Sequence, residues 1–238
     1  MKKCFLVVLL LVLCLSVSAA FAADKPRLGV LRFTNNTSAG WGSGSTGSDL
    51  QDMLIAELAS MKSFSVLERK ELDAVLGEQN LSASGRVDSR FKAQMGKLKG
   101  AQYLVAATVS AFEEDTSGGG GGISFKGISI GGERDRAYMA VDLKVIDVNT
   151  GEVVDVRTVE ATAKSGGLSL GLSKGYFAGN LGKYSKTPTG KAIRACVMEI
   201  AEYLECSMVK GKNDSCMQEY NQKESNRRNK TKGSIDLE

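Results

Sequence analysis

The chain has 238 residues, a formal net charge of +4 and no histidine. This length suffices for one domain, or for one domain with elaborations. Without histidine, Ser-His-Asp and Cys-His catalysis, histidine general bases and histidine metal ligands are excluded. The charge is too nearly balanced to indicate a nucleic-acid partner.

The first 22 residues predict a secretory signal peptide. Two lysines follow the initial methionine, an apolar run covers residues 5–17, and small residues end in an Ala-x-Ala site at Ala22. Because the run is short for a membrane span, we expect cleavage after Ala22 and export to the periplasm, with an uncleaved anchor as the alternative. Leu13 stands where lipoprotein signals place a small residue. We therefore interpret Cys14 as part of the apolar run, and its lipidation stays open.

Hydrophobic periodicity predicts strands and helices that alternate through the first half of the chain. The predicted strands cover residues 27–33, 64–68 and 103–112, and the predicted helices cover about 49–61, 71–79 and 88–100. Residues 137–149 and 152–163 predict a β-hairpin, and residues 191–204 predict a last helix. This order predicts an α+β domain of α/β-like character, with a mixed sheet and three to four helices.

Two segments, at about 113–136 and 164–189, interrupt this order and share a composition of Gly, Ser, Lys and alternating apolar residues. Segments of such length between predicted elements are usually functional or disordered. A period of two places apolar side chains on one face of a strand and small or polar ones on the other. The predicted apolar faces consist of Ile123, Phe125, Ile128, Ile130, Leu168, Leu170 and Leu172. In the first segment the alternation slips at Gly127.

A strand with one apolar face suits the wall of a transmembrane β-barrel, with lipid outside and water inside. Each insert has room for two membrane-crossing strands and a turn. Four strands do not close a barrel, and an open edge in lipid leaves backbone groups unpaired, so several subunits would have to share one barrel. The alternative is that both inserts are flexible surface loops, or hairpins that cover the domain's own sheet.

The end of the chain is polar and contains the cysteines that follow the signal peptide. Residues 206–238 carry many basic and acidic side chains, which predicts a solvated, disordered tail. Cys196, Cys206 and Cys216 are an odd number, so at most one internal bridge is possible in an oxidising compartment. A bridge between Cys206 and Cys216 is conceivable, but the sequence leaves the pairing open.

Carboxylates occur in two groups whose members are close enough in sequence to suggest a catalytic acid and base. They are Glu68, Glu71 and Asp73, and Glu113, Glu114 and Asp115. The first group equally suits the start of a helix, where acids favour the dipole, and the second suits a polar strand end. The glycine run at 118–122 lacks the phosphate-loop pattern, and no cysteine spacing supports a metal. We therefore expect neither enzyme activity nor a cofactor.

Several longer motifs resemble a known family. They are Val-Leu-Arg-Phe-Thr-Asn-Asn at 30–36, Met-Leu-Ile-Ala-Glu-Leu at 53–58, Phe-Ser-Val-Leu-Glu-Arg at 64–69, Glu-Leu-Asp-Ala-Val-Leu-Gly-Glu-Gln at 71–79, Lys-Gly-Ala-Gln-Tyr-Leu-Val at 99–105, and Val-Asp-Leu-Lys-Val-Ile-Asp-Val-Asn-Thr-Gly-Glu-Val at 141–153. Together they resemble the curli production assembly/transport family, the CsgG-like outer-membrane secretion channels. The resemblance spans most of residues 27–205 and includes inserts of similar size.

The resemblance implies that residues 23–205 form a periplasmic domain that assembles as a ring. It places two membrane hairpins at about 112–137 and 162–188, which would contribute to one shared barrel in outer-membrane lipid. Unfolded secreted protein subunits would pass through this homo-oligomer without a cofactor. A loop at about 36–47 would narrow the pore, with Asn36 and Trp41 as its amide and aromatic residues.

Two alternatives remain beside this hypothesis. Related domains also act as soluble periplasmic binding or assembly modules that form no pore, with the inserts as docking loops. Trp41, as a lone loop tryptophan, equally suits packing against the domain.

Overall fold

The structure is a computed structural model, and it describes residues 24–37, 46–115, 124–125, 128–129, 136–164, 167–169 and 187–234. The strands are β1 (Arg27–Val30), β2 (Thr34–Asn35), β3 (Ser65–Leu67), β4 (Tyr103–Asp115), β5 (Ser124–Phe125), β6 (Ile128–Ser129), β7 (Arg136–Asp147), β8 (Val153–Lys164) and β9 (Gly167–Ser169). The helices are α1 (Thr46–Met61), α2 (Leu72–Ala83), α3 (Pro188–Glu205) and α4 (Ser215–Gly233). The predicted signal peptide at 1–22 lies outside the described residues.

One mixed sheet organises the domain, in the order β3-β1-β4-β7-β8-β9, with β2 also paired to β4. β1 pairs in parallel with β3 and β4, and β2 pairs in parallel with β4. The pairs β4–β7, β7–β8 and β8–β9 are antiparallel. Parallel neighbours need a long crossover, which α1 supplies between β1 and β3, whereas a tight turn suffices between β7 and β8. The predicted α+β class, mixed sheet and helix number are confirmed.

The core lies between this sheet and helices α1 and α3. Alternate residues of β7 point inward, so Met139, Val141 and Leu143 are buried. On the helical side, Leu54 of α1 and Ile200 of α3 are fully buried. Burying a side chain of this size contributes roughly 1.5–3 kcal/mol, so the helical spacing of the apolar residues brings both helices onto the sheet.

The predicted disordered tail at 206–238 is wrong for the residues that the structure describes, which extend to Ser234. A π-helical turn (Cys206–Lys210) follows α3, and α4 then begins, with the Asp214 carboxylate accepting a hydrogen bond from the Cys216 amide at 3.0 Å. Cys206 and Cys216 form a disulfide, with their Cα atoms 6.1 Å apart. Met217 and Tyr220 are buried against the core. Two apolar anchors and one bridge hold a segment whose composition alone indicates disorder.

The helix predicted at about 88–100 is also wrong. Asp88 caps as expected, because its carboxylate accepts a hydrogen bond from the Arg90 amide at 2.9 Å. The helical turn is only the 3-10 segment Ser89–Phe91. Gly96 has a φ of 73°, outside the right-handed helical region, and residues 92–102 form no helix or strand.

None of the described helices combines the length and the apolar composition that a membrane-spanning helix requires.

Candidate functional site

Both inserts leave the domain at one end of the sheet. β4 ends at Asp115, which pairs with Arg136 at the start of β7. Arg136 also pairs with Lys164 at the end of β8. The first insert therefore departs and returns on neighbouring strands, and the second departs from the next strand along. The chain returns from the second insert at the start of α3, where the Thr189 hydroxyl is hydrogen-bonded to the Glu114 carboxylate.

The predicted pore loop begins beside the middle of β4, and the strand before it runs toward the end from which the inserts leave. β2 pairs with Thr108 and Val109 of β4, so the chain entering the loop runs parallel to β4. The hydroxyl oxygens of Thr34 and Thr108 are 2.7 Å apart, and the backbone N–H of Asn36 donates to the Val109 carbonyl at 3.0 Å. These contacts hold the chain on the sheet edge as far as Asn36.

The chain returns from this loop through a close backbone contact. The Phe33 amide donates to the Gly47 carbonyl at 3.1 Å, which joins the two sides of the loop. A Cβ atom on Gly47 would lie 2.2 Å from the Phe33 carbonyl oxygen, so no larger residue fits without movement. Below this contact, the buried Gln51 side chain donates to the Val30 carbonyl at 2.7 Å. The start of α1 is thus bound directly to the end of β1.

The predicted pore residues have different outcomes. Asn36 is described and exposed, and its backbone is bonded to Val109 in the middle of β4. Trp41 lies outside the described residues, so its place in a pore stays a prediction. No sequence signal indicated the Phe33–Gly47 contact, because one glycine among several in residues 38–47 is not distinctive.

The predicted apolar faces of the inserts are described only in part. β5 and β6 form an antiparallel pair in which Phe125 faces Ile128, with two residues between them. Leu168 lies in β9, which pairs with β8. Gly127, where the predicted alternation slips, lies outside the described residues. The remaining face residues, Ile123, Ile130, Leu170 and Leu172, lie outside the described residues, and the hairpins at 112–137 and 162–188 stay predictions.

The first group of carboxylates is structural. The Glu68 carboxylate accepts hydrogen bonds from the Lys70 amide at 2.6 Å and the Glu71 amide at 3.1 Å. The bond from the Glu71 amide in particular holds the pKa of Glu68 below its usual range. A carboxylate that stays ionised and is engaged by the backbone is unsuited to general acid catalysis. In the second group, Glu114 binds Thr189, which places it in the junction of the second insert.

A further polar cluster, between β8 and α4, was not predicted from the sequence. Arg157 lies over the rings of Tyr203 and Tyr220, at 5.3 and 5.5 Å from their centroids. Lys223 donates to Glu199 at 2.8 Å. These contacts join β8, α3 and α4, so we interpret the cluster as one that holds α4 against the rest of the domain.

One group of potential metal ligands occurs among the described residues, namely Cys206, Asp214 and Cys216. The two sulfur atoms are bonded to each other, so neither is available as the thiolate that a metal requires. The arrangement is a disulfide next to a helix cap.

Comparisons with known proteins agree with the motifs. The family model for the curli production assembly/transport component CsgG matches residues 13–235. The CsgG proteins of Salmonella typhimurium and Escherichia coli K12 are each 24% identical over 159 residues, which cover 63% of this chain and 56% of the relative. The match thus spans little more than half the length of these relatives. A solved structure, the hypothetical protein CT253 of Chlamydia trachomatis, has a TM-score of 0.46 and 11% identity, covering 79% of this chain and 100% of that chain.

Proposed function

Because the chain belongs to the curli production assembly/transport CsgG family, we propose that it is one subunit of an oligomeric outer-membrane channel that passively exports unfolded protein subunits. One observation carries the proposal beyond family membership. The two inserts leave the domain at one end of one sheet, and the strand that leads into the predicted pore loop runs parallel to β4 toward that end. A ring of such domains would present all of its inserts to one side, as a shared barrel requires.

The proposed barrel contains two hairpins from each subunit, within residues 112–137 and 162–188. Apolar side chains such as Phe125 and Leu168 would face lipid, and Ser and Gly residues would line a wet interior that binds an unfolded chain weakly. Pooling strands from neighbouring subunits removes the open edges that lipid does not tolerate. The family is one of transport components rather than enzymes, and the proposal needs no cofactor.

The proposed constriction is the loop at 36–47, with Asn36 and Trp41 toward the pore. The contacts of Asn36 with Val109, and of Gly47 with Phe33, would hold both ends of this loop on the domain below the barrel. A side chain narrows a pore reproducibly only if its backbone is held in place, which supports a role for these contacts.

We place the ring in the outer membrane, with the domain on the periplasmic side after export by the predicted signal peptide. Its partners are then copies of itself, outer-membrane lipid and unfolded secreted subunits.

Electron microscopy of the mature chain extracted in detergent tests this function. We expect closed rings with a central pore. A chain that stays monomeric in detergent, with no ring in any image, contradicts the proposal.

Cell fractionation provides an independent test. The proposal expects the chain in the outer-membrane fraction. Release with the soluble periplasm would contradict the channel and support a soluble periplasmic assembly module.

A further inference from the structure

The segment between α2 and β4, residues 84–100, has a composition unlike its surroundings, and we call it the basic loop. It contains five basic residues, Arg86, Arg90, Lys92, Lys97 and Lys99, and one acid, Asp88. Every residue from 88 to 100 is exposed. Asp88 already pairs with Arg90 at 2.8 Å, so the loop's only negative charge is neutralised within the loop.

The other four basic side chains have no counter-charge among the residues that the structure describes. Within the described part of the chain, the ion pairs leave Arg86, Lys92, Lys97 and Lys99 without a carboxylate partner. These charges repel one another on a short segment, and a surface of one sign attracts a polyanion.

Large apolar side chains are exposed among these charges. Phe91 is 74% exposed, Met95 57% and Leu98 49%. Three large exposed apolar side chains within eight residues, set among basic side chains, favour an interaction site over ordinary surface.

The basic loop is also held in place. The Ala93 amide donates to the buried Ser82 hydroxyl at 3.2 Å, which ties the middle of the loop to α2. The Lys99 carbonyl accepts from Arg69 at 3.2 Å, and the Gly100 carbonyl accepts from Arg27 at 2.9 Å. A surface held at three points loses less entropy on binding than a flexible loop does.

The position of the basic loop favours a protein over a membrane as its partner. The loop ends at the amino-terminal end of β4, where the Gln102 amide donates to the Arg27 carbonyl at 2.9 Å. The inserts leave from the other end of this 13-residue strand, about 40 Å away at the usual rise per residue. If the inserts enter the membrane, as the proposed function has it, the basic loop faces away from the bilayer.

We propose that the basic loop is a docking site for an acidic segment of another polypeptide, in extended form and bearing apolar side chains. Carboxylates of that segment pair with Lys92, Lys97 and their basic neighbours. Its apolar side chains cover Phe91, Met95 and Leu98. The choice of a protein segment over a lipid surface rests on the proposed function. The choice of an acidic partner rests only on the positive charge of the basic loop.

The test is fluorescence anisotropy of the whole mature chain with labelled peptides. The first peptide contains Asp, Glu, Leu, Phe and Gly, the second has Lys in place of each acid, and the third has Ser in place of each apolar residue. We expect saturable binding of the first peptide alone, weakened by salt because the contacts are between exposed charges. Equal binding of the acidic and basic peptides would overturn the proposal.

Matched charge reversals locate the site. Lys92→Glu with Lys97→Glu is expected to weaken binding of the first peptide about tenfold or more, since each reversal turns an attraction into a repulsion. Lys212→Glu with Lys232→Glu changes the net charge equally at exposed positions of the C-terminal segment and is expected to leave binding unchanged. Equal loss in both variants would overturn the proposal. Phe91→Ser with Leu98→Ser, at positions that are already exposed, is expected to weaken binding without unfolding the chain.

Anionic vesicles provide the remaining comparison. One outcome would overturn the proposal in favour of a membrane site. In that outcome the chain binds vesicles rich in anionic lipid but no peptide, and Lys92→Glu with Lys97→Glu abolishes the vesicle binding. Peptide binding by a chain that forms no ring would contradict the proposed function alone. A ring that fails to bind the peptide would contradict this inference alone.

Discussion

At the scale of single residues, Gly47 occupies the tightest position described at the base of the predicted pore loop. Its carbonyl accepts the Phe33 amide, and its α-carbon faces the Phe33 carbonyl. The loop can close on α1 at this distance only because the residue has no side chain. Gly77 offers a comparison, since a Cβ atom there would meet nothing within 4 Å in the middle of α2.

We expect Gly47→Ala to lower the free energy of unfolding by about 1–3 kcal/mol, because the new methyl group must displace the backbone of Phe33. Gly77→Ala, the matched control, is expected to raise it by up to about 1 kcal/mol, because alanine is the better helix former. Urea denaturation of both variants checks this prediction. Equal effects of the two substitutions would show that the Phe33–Gly47 contact is not tight.

Glu224 of α4 is engaged by two arginines of the same helix. Arg227 donates to both of its carboxylate oxygens, at 3.0 and 2.8 Å, and Arg228 donates at 2.6 Å. The hydrogen bonds from Arg227 in particular lower the pKa of Glu224 to about 2. A lowered pKa in the folded state means that the ionised form stabilises the fold. This contribution is present above the ordinary pKa of 4.5 and is lost as the pH falls toward about 2.

We therefore expect Glu224→Gln to be less stable than the native chain at pH 7, with the difference shrinking between pH 4.5 and about 2. Glu219→Gln is the control, because Glu219 is exposed on the same helix and makes no ion pair with a described residue. Urea unfolding as a function of pH measures both. A difference between Glu224→Gln and the native chain that does not change with pH would contradict the role given to ionisation.

At the scale of elements, α4 is held by a few contacts rather than by an apolar face. Tyr220 packs edge-on against Tyr203 of α3, with ring centroids 5.1 Å apart. The Cys206–Cys216 bridge fixes the start of the helix, ten residues along the chain from the end of α3. A bridge that closes a short loop stabilises chiefly by restricting the unfolded chain.

Replacing both bridging cysteines, Cys206→Ser with Cys216→Ser, is expected to lower the free energy of unfolding by about 2–4 kcal/mol. Reduction of the native chain with dithiothreitol should produce the same loss, and the double variant should be insensitive to the reductant. The unbridged Cys196 is buried in the core and serves as an internal reference for thiol counting. A native chain that is equally stable with and without reductant would contradict this prediction.

At the scale of the whole molecule, the inserts are additions to a sheet that loses only its short edge strand β9 without them. Asp115 and Arg136 face each other across β4 and β7, so a two-residue turn can replace residues 116–135. The second insert leaves at Lys164 of β8 and returns at Thr189, which contacts Glu114 of β4. One strand, β7, lies between β8 and β4. That separation is about 10 Å, so a short Gly/Ser linker can replace residues 165–186.

A chain with both replacements is expected to fold with nearly the native free energy of unfolding and to stay monomeric, because the proposed barrel strands are gone. Light scattering in detergent, beside the unaltered mature chain, measures the oligomeric state, and circular dichroism confirms the fold. Rings of unchanged size would mean that the domains assemble without the inserts, which contradicts a ring held by a shared barrel.

Much of the domain is predictable from sequence, because its elements have strong periodicity. Alternation predicted the strands at 137–149 and 152–163, and the structure has β7 and β8 there. Helical spacing predicted 191–204 within α3. The prediction failed at 88–100, where basic residues with good helix propensity lie beside Gly96, and at 206–238, where only a few long-range contacts secure α4.

The sequence by itself determined the class of the fold and the family, and it predicts two amphipathic inserts, because these depend on local periodicity and on motifs along the chain. Only the tertiary structure decided that Asp115, Arg136 and Lys164 meet at one end of the sheet and that the strand before Asn36 runs toward that end, since strand register is set by pairing between distant segments. It also decided that α4 is ordered, because a disulfide and two buried side chains act across the chain and leave no local pattern. The basic loop became a candidate site for the same reason. Its charges are visible in the sequence, but their exposure and lack of partners are properties of the folded domain.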